Sequence, residues 1–332
     1  MRKPFFTVIV FVLTAVLLVG LFFFAINQGS IQVTFIELLR GLFVDYDPNV
    51  AAIVDLRFPR ILIALFGGAA LAVAGALFQA VLRNPVADPS IIGISSGAAL
   101  AAALVVGLFP MMFFSSPIFA IIGGLITFGI VYSLSYQGGL APMRVILVGI
   151  AVNAVLVGLG EGIGVLMSGG ASMGGGVTFT GSLAMKTWSD VRLLVWYVTP
   201  ALIIAGLLAG RCNLLSLEDD TVRSLGVNVT VLRVMVSFVA VTLVSLASAV
   251  MGVIAFLGLI VPHLARLLVG SDNRILLPYC ALGGAFLMLL ADTVGRLIAH
   301  PYEIHAGILM AIVGGPLFIM LLRSKGSGAN YG

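Results

Sequence analysis

Long apolar runs separated by short polar segments dominate the pattern of this chain. A run that crosses a bilayer as a helix needs about 20 apolar residues. The first run follows Met1-Arg2-Lys3, and its length favours a retained helix over a cleaved signal peptide. The pattern predicts ten crossing helices, at residues 5–26, 61–82, 91–109, 117–136, 145–168, 193–210, 232–253, 254–269, 275–299 and 306–322.

The stretch between Val231 and Gly270 departs from this regular spacing. It is too long for one crossing and too short for two full crossings with a loop. It therefore predicts one full helix and one short helix, with a break at about residues 255–258. Broken helices in membrane proteins often lie where a solute moves or a gate closes, so the pattern favours a transporter. The titratable residues and the one proline of this stretch are Arg233, Pro262, His263 and Arg266.

Composition requires the bilayer to be the solvent for most of the chain. The 332 residues are 61% hydrophobic and only 9% charged, with a mean hydropathy of +1.21. Soluble domains contain about 25% charged residues, so a soluble fold is excluded. The 40 glycines suit close helix packing in lipid, and the isolated Cys212 and Cys280 are expected to be packing residues. We therefore expect an all-α, polytopic membrane protein with a single transmembrane domain over residues 1–332.

Charge placement predicts which way the chain is oriented. An even number of crossings puts both termini on one side of the membrane. With a cytoplasmic N-terminus, eleven of the 17 basic residues lie inside, in agreement with the positive-inside rule. We therefore expect a multi-pass protein of the bacterial cytoplasmic membrane with both termini in the cytoplasm.

Two polar segments on the predicted outer side are longer than simple turns. Residues 28–60 have amphipathic character, and residues 169–192 begin with a glycine-rich stretch. Trp188 is of a type that often lies at the level of the lipid headgroups. The second segment therefore predicts a short interfacial helix.

A polar segment between residues 211 and 233 predicts a short helix on the cytoplasmic side. Ser216 is of a type that caps helix N-termini, and the acids at 218–220 suit the positive end of a helix dipole. Gly226 is of the type that ends a helix. We expect this helix at about residues 216–229, with its core at 217–227.

Several sequence blocks together resemble the iron-siderophore, haem and vitamin B12 permease family of bacterial type II ABC importers. Their order and spacing over about residues 10–324 are specific, although each block alone is weak. The blocks are Leu56-Arg57-Phe58-Pro59-Arg60, Arg83-Asn84-Pro85-Val86-Ala87-Asp88-Pro89, Ser224-Leu225-Gly226, Phe256-Leu257-Gly258-Leu259-Ile260-Val261-Pro262-His263, Ala291-Asp292 with Arg296, and Gly314-Gly315-Pro316. The resemblance implies the ten-helix fold of the vitamin B12 permease, a pair of permease subunits, two cytoplasmic ATPases and an external substrate-binding protein.

The resemblance implies a docking role for three arginines near the outer face, Arg57, Arg60 and Arg296. In the similar vitamin B12 permease, arginines at the matching positions face acidic residues of the binding protein. A guanidinium group suits this role because it binds a carboxylate with two parallel hydrogen bonds. The alternatives are anchoring at headgroups or internal pairing with Asp55 and Asp292.

The resemblance also implies that the short cytoplasmic helix fits a groove on the ATPase subunit. A capped helix supplies a rigid lever for nucleotide-driven movement. A solvated loop helix without a partner is the alternative. The predicted coupling residues are Leu217, Glu218, Asp219, Asp220, Val222, Arg223, Leu225 and Gly226.

The Arg83-Asn84-Pro85-Val86 segment must turn at the inner face, because proline lacks an amide donor and disfavours helix at the preceding residue. In the similar family this turn lies near the inner gate, so Asn84, Pro85 and Val86 are candidate gate residues. A plain helix connector is the alternative. Glu161, near the outer end of the fifth predicted crossing, either lines the pathway or has no role.

The chain is expected to be a transport subunit and not an enzyme. It has no GxxxxGK[ST] phosphate loop, so ATP and magnesium are expected on a separate subunit, and no cofactor or metal is expected on this chain. A ferric siderophore is the first substrate expected, with haem second and vitamin B12 third. His305 departs from the family pattern and is either a surface histidine or a contact to haem iron.

One alternative belongs to a different class of transporter. An ion-coupled secondary transporter needs no partner subunit, but it usually needs acidic residues deep in the bilayer, and none is predicted near a helix centre. Whether the second permease is a copy of this chain or a relative of it stays open at this point.

Overall fold

The computed structural model describes residues 4–28, 33–34, 36–37, 40–41, 47–136, 142–167, 181–299 and 302–326. A helix lies at each of the ten predicted runs, and every end falls within five residues of the prediction. The helices are α1 (Pro4–Asn27), α2 (Pro48–Leu56), α3 (Phe58–Val81), α4 (Ile94–Leu108), α5 (Ser116–Ser135), α6 (Pro142–Met167), α7 (Trp188–Cys212), α8 (Asp219–Ser224), α9 (Val229–Met251), α10 (Leu257–Val269), α11 (Asn273–Ile298) and α12 (Ala306–Gly326). Short 3-10 helices lie at Pro110–Ser115 and Asn213–Ser216.

Helix length and composition identify a multi-pass membrane protein. Within the described residues, seven helical stretches are long and apolar enough to cross a bilayer. Three more are apolar but shorter, namely Ile94–Leu108, Leu257–Val269 and Ala306–Met320. The 15 residues of α4 rise only about 22 Å, against a hydrocarbon core of about 30 Å. Length alone therefore supports seven crossings and leaves the remaining three as candidates.

Helix α3 forms the centre of the bundle and packs against α7, α9, α10 and α11. Nearly every residue from Gly67 to Gln79 is buried. An added Cβ at Gly68 would lie 2.4 Å from the backbone oxygen of Gly284, and one at Gly75 would lie 1.9 Å from that of Gly258. Only glycine fits at these two positions, and it lets the helix backbones approach closely.

The break predicted between two helices of the 231–270 stretch is confirmed, but it lies at residues 252–256 and not at 255–258, because Leu257 and Gly258 already belong to α10. Gly252 and Phe256 take positive φ angles of 76° and 68°. The break lies beside the middle of α3, because the side chain of Met251 faces Gly67. The amides of Gly181 and Ser182 donate to the carbonyls of Val253 and Met251, each at 2.9 Å. Irregular backbone inside a membrane protein needs such internal partners.

The cytoplasmic helix is shorter than predicted, because α8 covers only six residues. The prediction that Ser216 caps it is wrong: Glu218 is the N-cap residue, and the Ser216 hydroxyl donates to the Asn213 carbonyl at 2.7 Å. The serine belongs to the preceding 3-10 helix, Asn213–Ser216, two residues before the N-cap position of α8. Gly226 does terminate this helix: it follows the C-cap residue Leu225 with a φ of 76°, and its amide donates to the Arg223 carbonyl at 2.9 Å.

The interfacial helix predicted within 169–192 lies mostly outside the described residues. Described residues 181–187 form no helix, and Trp188 is the first residue of α7. Thr187 and Asp190 form a capping box at that start. The Trp188 indole N–H donates to the Val54 carbonyl at 3.1 Å, so it ties α7 to α2.

Candidate functional site

Four side chains form a compact ionic group near the predicted outer face, the outer arginine cluster, consisting of Arg60, Asp292, Arg296 and Glu303. Arg60 donates to both carboxylate oxygens of Asp292 at 2.8–3.0 Å, through Nε and Nη2. Its remaining terminal nitrogen donates to Glu303 at 2.7 Å. Asp292 is 1% exposed, so this pairing is sealed from water and joins α3 firmly to α11.

The other two predicted docking arginines lie beside this pair. Arg296 lies one turn after Asp292, with Nε 3.5 Å from its carboxylate, and it donates to the Ala25 carbonyl at 3.4 Å. Arg57 donates to the Ile26 carbonyl. These carbonyls belong to the last turn of α1, where backbone acceptors lack helical partners and the helix dipole has its negative end. The two arginines therefore also satisfy the C-terminal end of α1.

The structure thus brings Arg57, Arg60 and Arg296 together, and it shows the internal pairing with Asp292. Arg60 and Arg296 are only 13% and 10% exposed, whereas the Glu303 side chain is 41% exposed. Arg57 is half-buried. A protein that approached this face would meet Glu303 before the more buried Arg60, Arg296 and Asp292.

A second ionic group, the inner arginine cluster, consists of Arg83, Asp219 and Arg233. Arg83 lies just after α3 with a positive φ of 49°. Its Nη2 donates to Asp219 at 2.6 Å, and Arg233 of α9 donates to the same carboxylate oxygen at 2.8 Å. Arg83 also donates to the Leu215 carbonyl at 2.7 Å and to the Leu217 carbonyl. Three separate parts of the chain therefore meet at one carboxylate.

The electrostatics of Asp219 follow from these neighbours. Partial burial on its own raises the pKa of Asp219. The charges and hydrogen bonds of Arg233 and Arg83 outweigh this effect and hold the pKa below its usual range. The carboxylate is therefore ionised at neutral pH.

Residues 215–226, the coupling segment, divide into an inward and an outward side. Val222 is fully buried and Asp219 pairs with the two arginines, so both hold the segment to the rest of this chain. The outward side consists of the other predicted coupling residues, Leu217, Glu218, Asp220, Arg223, Leu225 and Gly226, which are all exposed. A partner would therefore contact a mixed apolar and charged surface.

The segment between α3 and α4, residues 82–93, is the α3–α4 loop. Its predicted turn is closed by Asn84, whose side-chain oxygen accepts the Val86 amide at 3.1 Å. In the same loop, the Asp88 carboxylate is buried and accepts the Ser90 amide at 2.8 Å. Asn84, Pro85 and Val86 are all half-buried. Their role at a gate stays a prediction.

The other candidate residues are placed as follows. Glu161 is exposed on α6, a helix that packs mainly against α4 and α5. His305 is half-buried just before α12, and its carbonyl accepts the Ile308 amide at 2.9 Å. Among the described residues, no group of three or more His, Cys, Asp or Glu side chains is arranged to hold a metal ion.

The sequence names Asp292 as a possible partner of the outer arginines and Asp219 as a coupling residue, but it does not show which charges meet. Asp292 and Arg60 are 232 positions apart, and Arg83 and Asp219 are 136 apart. In the sequence, Arg233 and Glu303 look like ordinary charged residues near the ends of membrane helices. For the outer cluster the sequence offered both Asp55 and Asp292 as partners, and only the structure selects Asp292.

Comparisons with known proteins agree with this architecture. The model of the FecCD transport family matches residues 16–324. The heme-iron transport system permease protein IsdF of Staphylococcus aureus strains MSSA476 and USA300 is 40% identical over 314 residues, which is 95% of each chain.

Two solved structures share the fold. An ABC transporter assigned to the metal-chelate type, in an inward-facing conformation, is 31% identical with a TM-score of 0.76, and the match covers 94% of this chain and 97% of that one. PsaBC from Streptococcus pneumoniae has a TM-score of 0.52 at 16% identity over 86% of this chain and 95% of that one, a likeness of fold alone.

The family model spans almost the whole chain, and a relative of nearly equal length shares two residues in every five. The matched region contains the buried α3, the break between α9 and α10, and the short polar segment at residues 215–226. The protein therefore belongs to the FecCD transport family and is the membrane-spanning permease subunit of an ABC transporter, not itself an enzyme.

Proposed function

We propose that this permease imports haem iron across the bacterial cytoplasmic membrane. The observation that carries the proposal is the 40% identity, over 95% of both chains, with a permease named for heme-iron transport. The sequence blocks alone put a ferric siderophore first and haem second. The curated relatives favour haem, and a ferric siderophore is the second candidate because the related solved transporter is assigned to the metal-chelate type.

The proposed membrane topology has ten crossings with both termini in the cytoplasm. Seven long and three shorter apolar helices in the described part of the chain supply ten candidate segments. The positive-inside rule supports the orientation, because eleven of 17 basic residues then lie on the cytoplasmic side. In this arrangement the coupling segment is cytoplasmic and the outer arginine cluster faces outward.

The proposed assembly contains a second permease subunit, two ATP-binding subunits and an external substrate-binding protein. The absence of a phosphate loop in this chain supports binding of ATP and magnesium on the partner subunit. The exposed side of the coupling segment is the proposed contact for the ATPase. Arg57, with Arg60 and Arg296 behind it, is proposed to dock acidic residues of the binding protein.

Transport in this proposal is driven by mechanical movement and not by chemistry on the chain. Nucleotide-driven closure of the ATPases displaces the coupling segment. The half-buried turn at Asn84, Pro85 and Val86 is the proposed inner gate, and the exposed Glu161 is proposed to line the pathway. A pathway of this kind binds its cargo weakly, so the binding protein supplies most of the selectivity.

The test is uptake by proteoliposomes that contain the permease with its ATPase and binding protein. We expect haem to accumulate inside the vesicles when ATP is present, and not when a non-hydrolysable analogue replaces it. Uptake of a ferric siderophore is measured in parallel with identical vesicles. Uptake of the siderophore and not of haem would reverse the order of the two substrates, and uptake driven by an ion gradient without ATP would refute the importer.

His305 offers a separate test of a haem contact. Imidazole nitrogen is a common ligand of haem iron. His305→Ala should lower haem uptake, while the same substitution leaves the amount of folded permease unchanged. Unchanged haem uptake would assign His305 to the surface.

A further inference from the structure

Arg83 links two regions that the sequence treats as unrelated. It lies at the start of the α3–α4 loop, and the described partners of its side chain all belong to the coupling segment: the carbonyls of Leu215 and Leu217 and the carboxylate of Asp219. The loop therefore has a direct, charge-assisted connection to the segment that the proposed function places against the ATPase. Charge-assisted hydrogen bonds are about twice as strong as neutral ones.

The geometry of this link makes it stiff. A guanidinium group presents its donors in one rigid plane, and here two of its nitrogens bind three acceptors. The left-handed backbone of Arg83 is strained and persists only where surrounding contacts hold it. A strained residue held by three contacts moves together with the segment that holds it.

Asp219 also connects the coupling segment to helix α9, through Arg233. Both arginines bind the same oxygen of Asp219, so a shift of that carboxylate acts on the α3–α4 loop and on α9 together. Helix α9 leads to the break at residues 252–256. The inner arginine cluster therefore connects the coupling segment both to the α3–α4 loop and to the helix that precedes the break.

The far end of the loop is equally rigid. An added Cβ at Gly149 of α6 would lie 2.7 Å from the Cα of Ile92, and one at Gly93 would lie 3.1 Å from the backbone of Asn153. Ser96, in the first turn of α4, donates to the Asn153 side chain at 2.6 Å. The loop is thus fixed to the coupling segment at one end and packed against α6 at the other.

We propose that Arg83 is a positioning residue that transmits movement of the coupling segment to the α3–α4 loop, through its hydrogen bonds to Asp219 and to the carbonyls of Leu215 and Leu217. The inference rests on the proposed function, because it needs an ATPase that moves the segment. It assigns Arg83 a role distinct from that of the outward-facing Asp220 and Arg223. Their ion pair, at 3.3 Å, joins side chains that are 93% and 67% exposed and does not leave α8.

The test compares Arg83→Gln, Arg83→Lys and Asp219→Asn with wild type in the complete transporter, reconstituted with its ATPase and binding protein. Haem uptake and ATP hydrolysis are measured in the same vesicles. The readout is the number of ATP molecules hydrolysed per haem imported. Arg211→Gln is the matched control, because it removes one exposed arginine from the same predicted side of the membrane.

We expect Arg83→Gln to raise the ATP consumed per haem by about tenfold, since a hydrogen bond to a charged group contributes roughly what a tenfold change requires. Arg83→Lys should give an intermediate ratio, because it keeps the charge and loses the planar group. The double variant Arg83→Gln/Asp219→Asn should be no worse than the more impaired single variant, as expected for two groups that act through one contact. Arg211→Gln should match wild type.

Several results would overturn the inference. One is a wild-type ratio in Arg83→Gln; another is a double variant whose defects add. A third is Arg83→Lys losing ATP hydrolysis and uptake in the same proportion, while pull-down shows an intact complex. If wild type and Arg211→Gln take up no haem or siderophore with ATP, the proposed function itself fails, and this outcome is distinguishable because it does not depend on Arg83.

Discussion

The two arginine clusters each contain one aspartate between two arginines, but they differ in how deeply that aspartate is buried. In each, one aspartate accepts hydrogen bonds or ionic contacts from two arginines on different parts of the chain. Asp292 of the outer arginine cluster is 1% exposed, whereas Asp219 of the inner cluster is 33% exposed. The outer cluster joins two long helices and the end of α1, and the inner cluster joins a six-residue helix to a loop and to the start of α9.

Burial decides what each arrangement can do. Removing one partner of a buried ion pair leaves an uncompensated charge and costs about 3–5 kcal/mol, whereas an exposed pair contributes about 0–1 kcal/mol. The outer cluster therefore acts as a fixed clamp between α3 and α11. The inner cluster contributes little to the stability of the fold, so it can move as a unit with the coupling segment while its hydrogen-bond geometry is kept.

The largest effect is expected for Asp292→Asn. Two poorly exposed guanidinium groups lose their shared carboxylate, so we expect the unfolding free energy to fall by about 3–5 kcal/mol. The measurement is thermal unfolding of the detergent-solubilised permease. Asp55→Asn is the control, because Asp55 is an exposed carboxylate near the same end of α3 and should leave the midpoint unchanged. Equal midpoints for the two variants would show that the outer cluster is not a clamp.

A smaller effect is expected when the charge of Arg57 is reversed. Arg57→Glu presents an acid to the acidic face expected on the binding protein, so the affinity between the two proteins should fall by about tenfold or more. Haem uptake at limiting binding protein should fall with it. Arg57 is suitable because Arg60 is held by Asp292, and its reversal would also disturb the clamp.

The control for the docking prediction is Arg192→Glu. Arg192 is an exposed arginine at the predicted outer end of α7, so its reversal makes the same change in net charge. It should leave affinity and uptake at wild-type values. Equal losses in both variants would mean that overall charge, and not the docking site, controls the encounter.

A still smaller change in stability is expected for Asp219→Asn. Because the carboxylate is one-third exposed, water screens the pair and the unfolding free energy should change by less than about 1 kcal/mol. The measurement is the same thermal unfolding experiment. A loss of unfolding free energy as large as that of Asp292→Asn would show that the two clusters do not differ in how strongly they stabilise the fold.

The smallest effect is the pH dependence of this same contribution. The pKa of Asp219 is lowered in the folded protein by Arg233 and Arg83, against the opposing effect of partial burial, so the folded state favours the ionised form. The stabilisation is therefore fully present above the ordinary aspartate pKa of about 4 and disappears as pH falls through the lower, folded value. The difference in midpoint between wild type and Asp219→Asn should stay constant near neutral pH and shrink only in acid. A difference that grew on acidification would contradict the assigned pairing.

Much of the fold was predictable because one physical requirement acts locally. In lipid, an apolar run must form a helix to satisfy its own backbone, so run lengths locate the helices within a few residues. The break before α10 was predictable for the same reason, since a 40-residue run does not fit one or two full crossings. The capping of α8 was not, because the chain forms a 3-10 helix at Asn213–Ser216 that includes this serine, and α8 begins only after Glu218.

The candidate site was predictable in its members and not in its contacts. The motifs named Arg57, Arg60 and Arg296 as one group, and the structure brings them together. They did not decide between Asp55 and Asp292 as the partner of Arg60. Arg83 was noticed only as part of a turn, because its partners are more than 130 positions away.

By itself, the amino-acid sequence determined that this protein lives in a membrane, where its helices lie and which family it belongs to, because these depend on local hydrophobicity and on ordered motifs. Only the tertiary structure decided which charges meet. An ionic contact depends on distance and burial in space, and the chain brings Arg60 to Asp292 and Arg83 to Asp219 only after its helices have packed around α3.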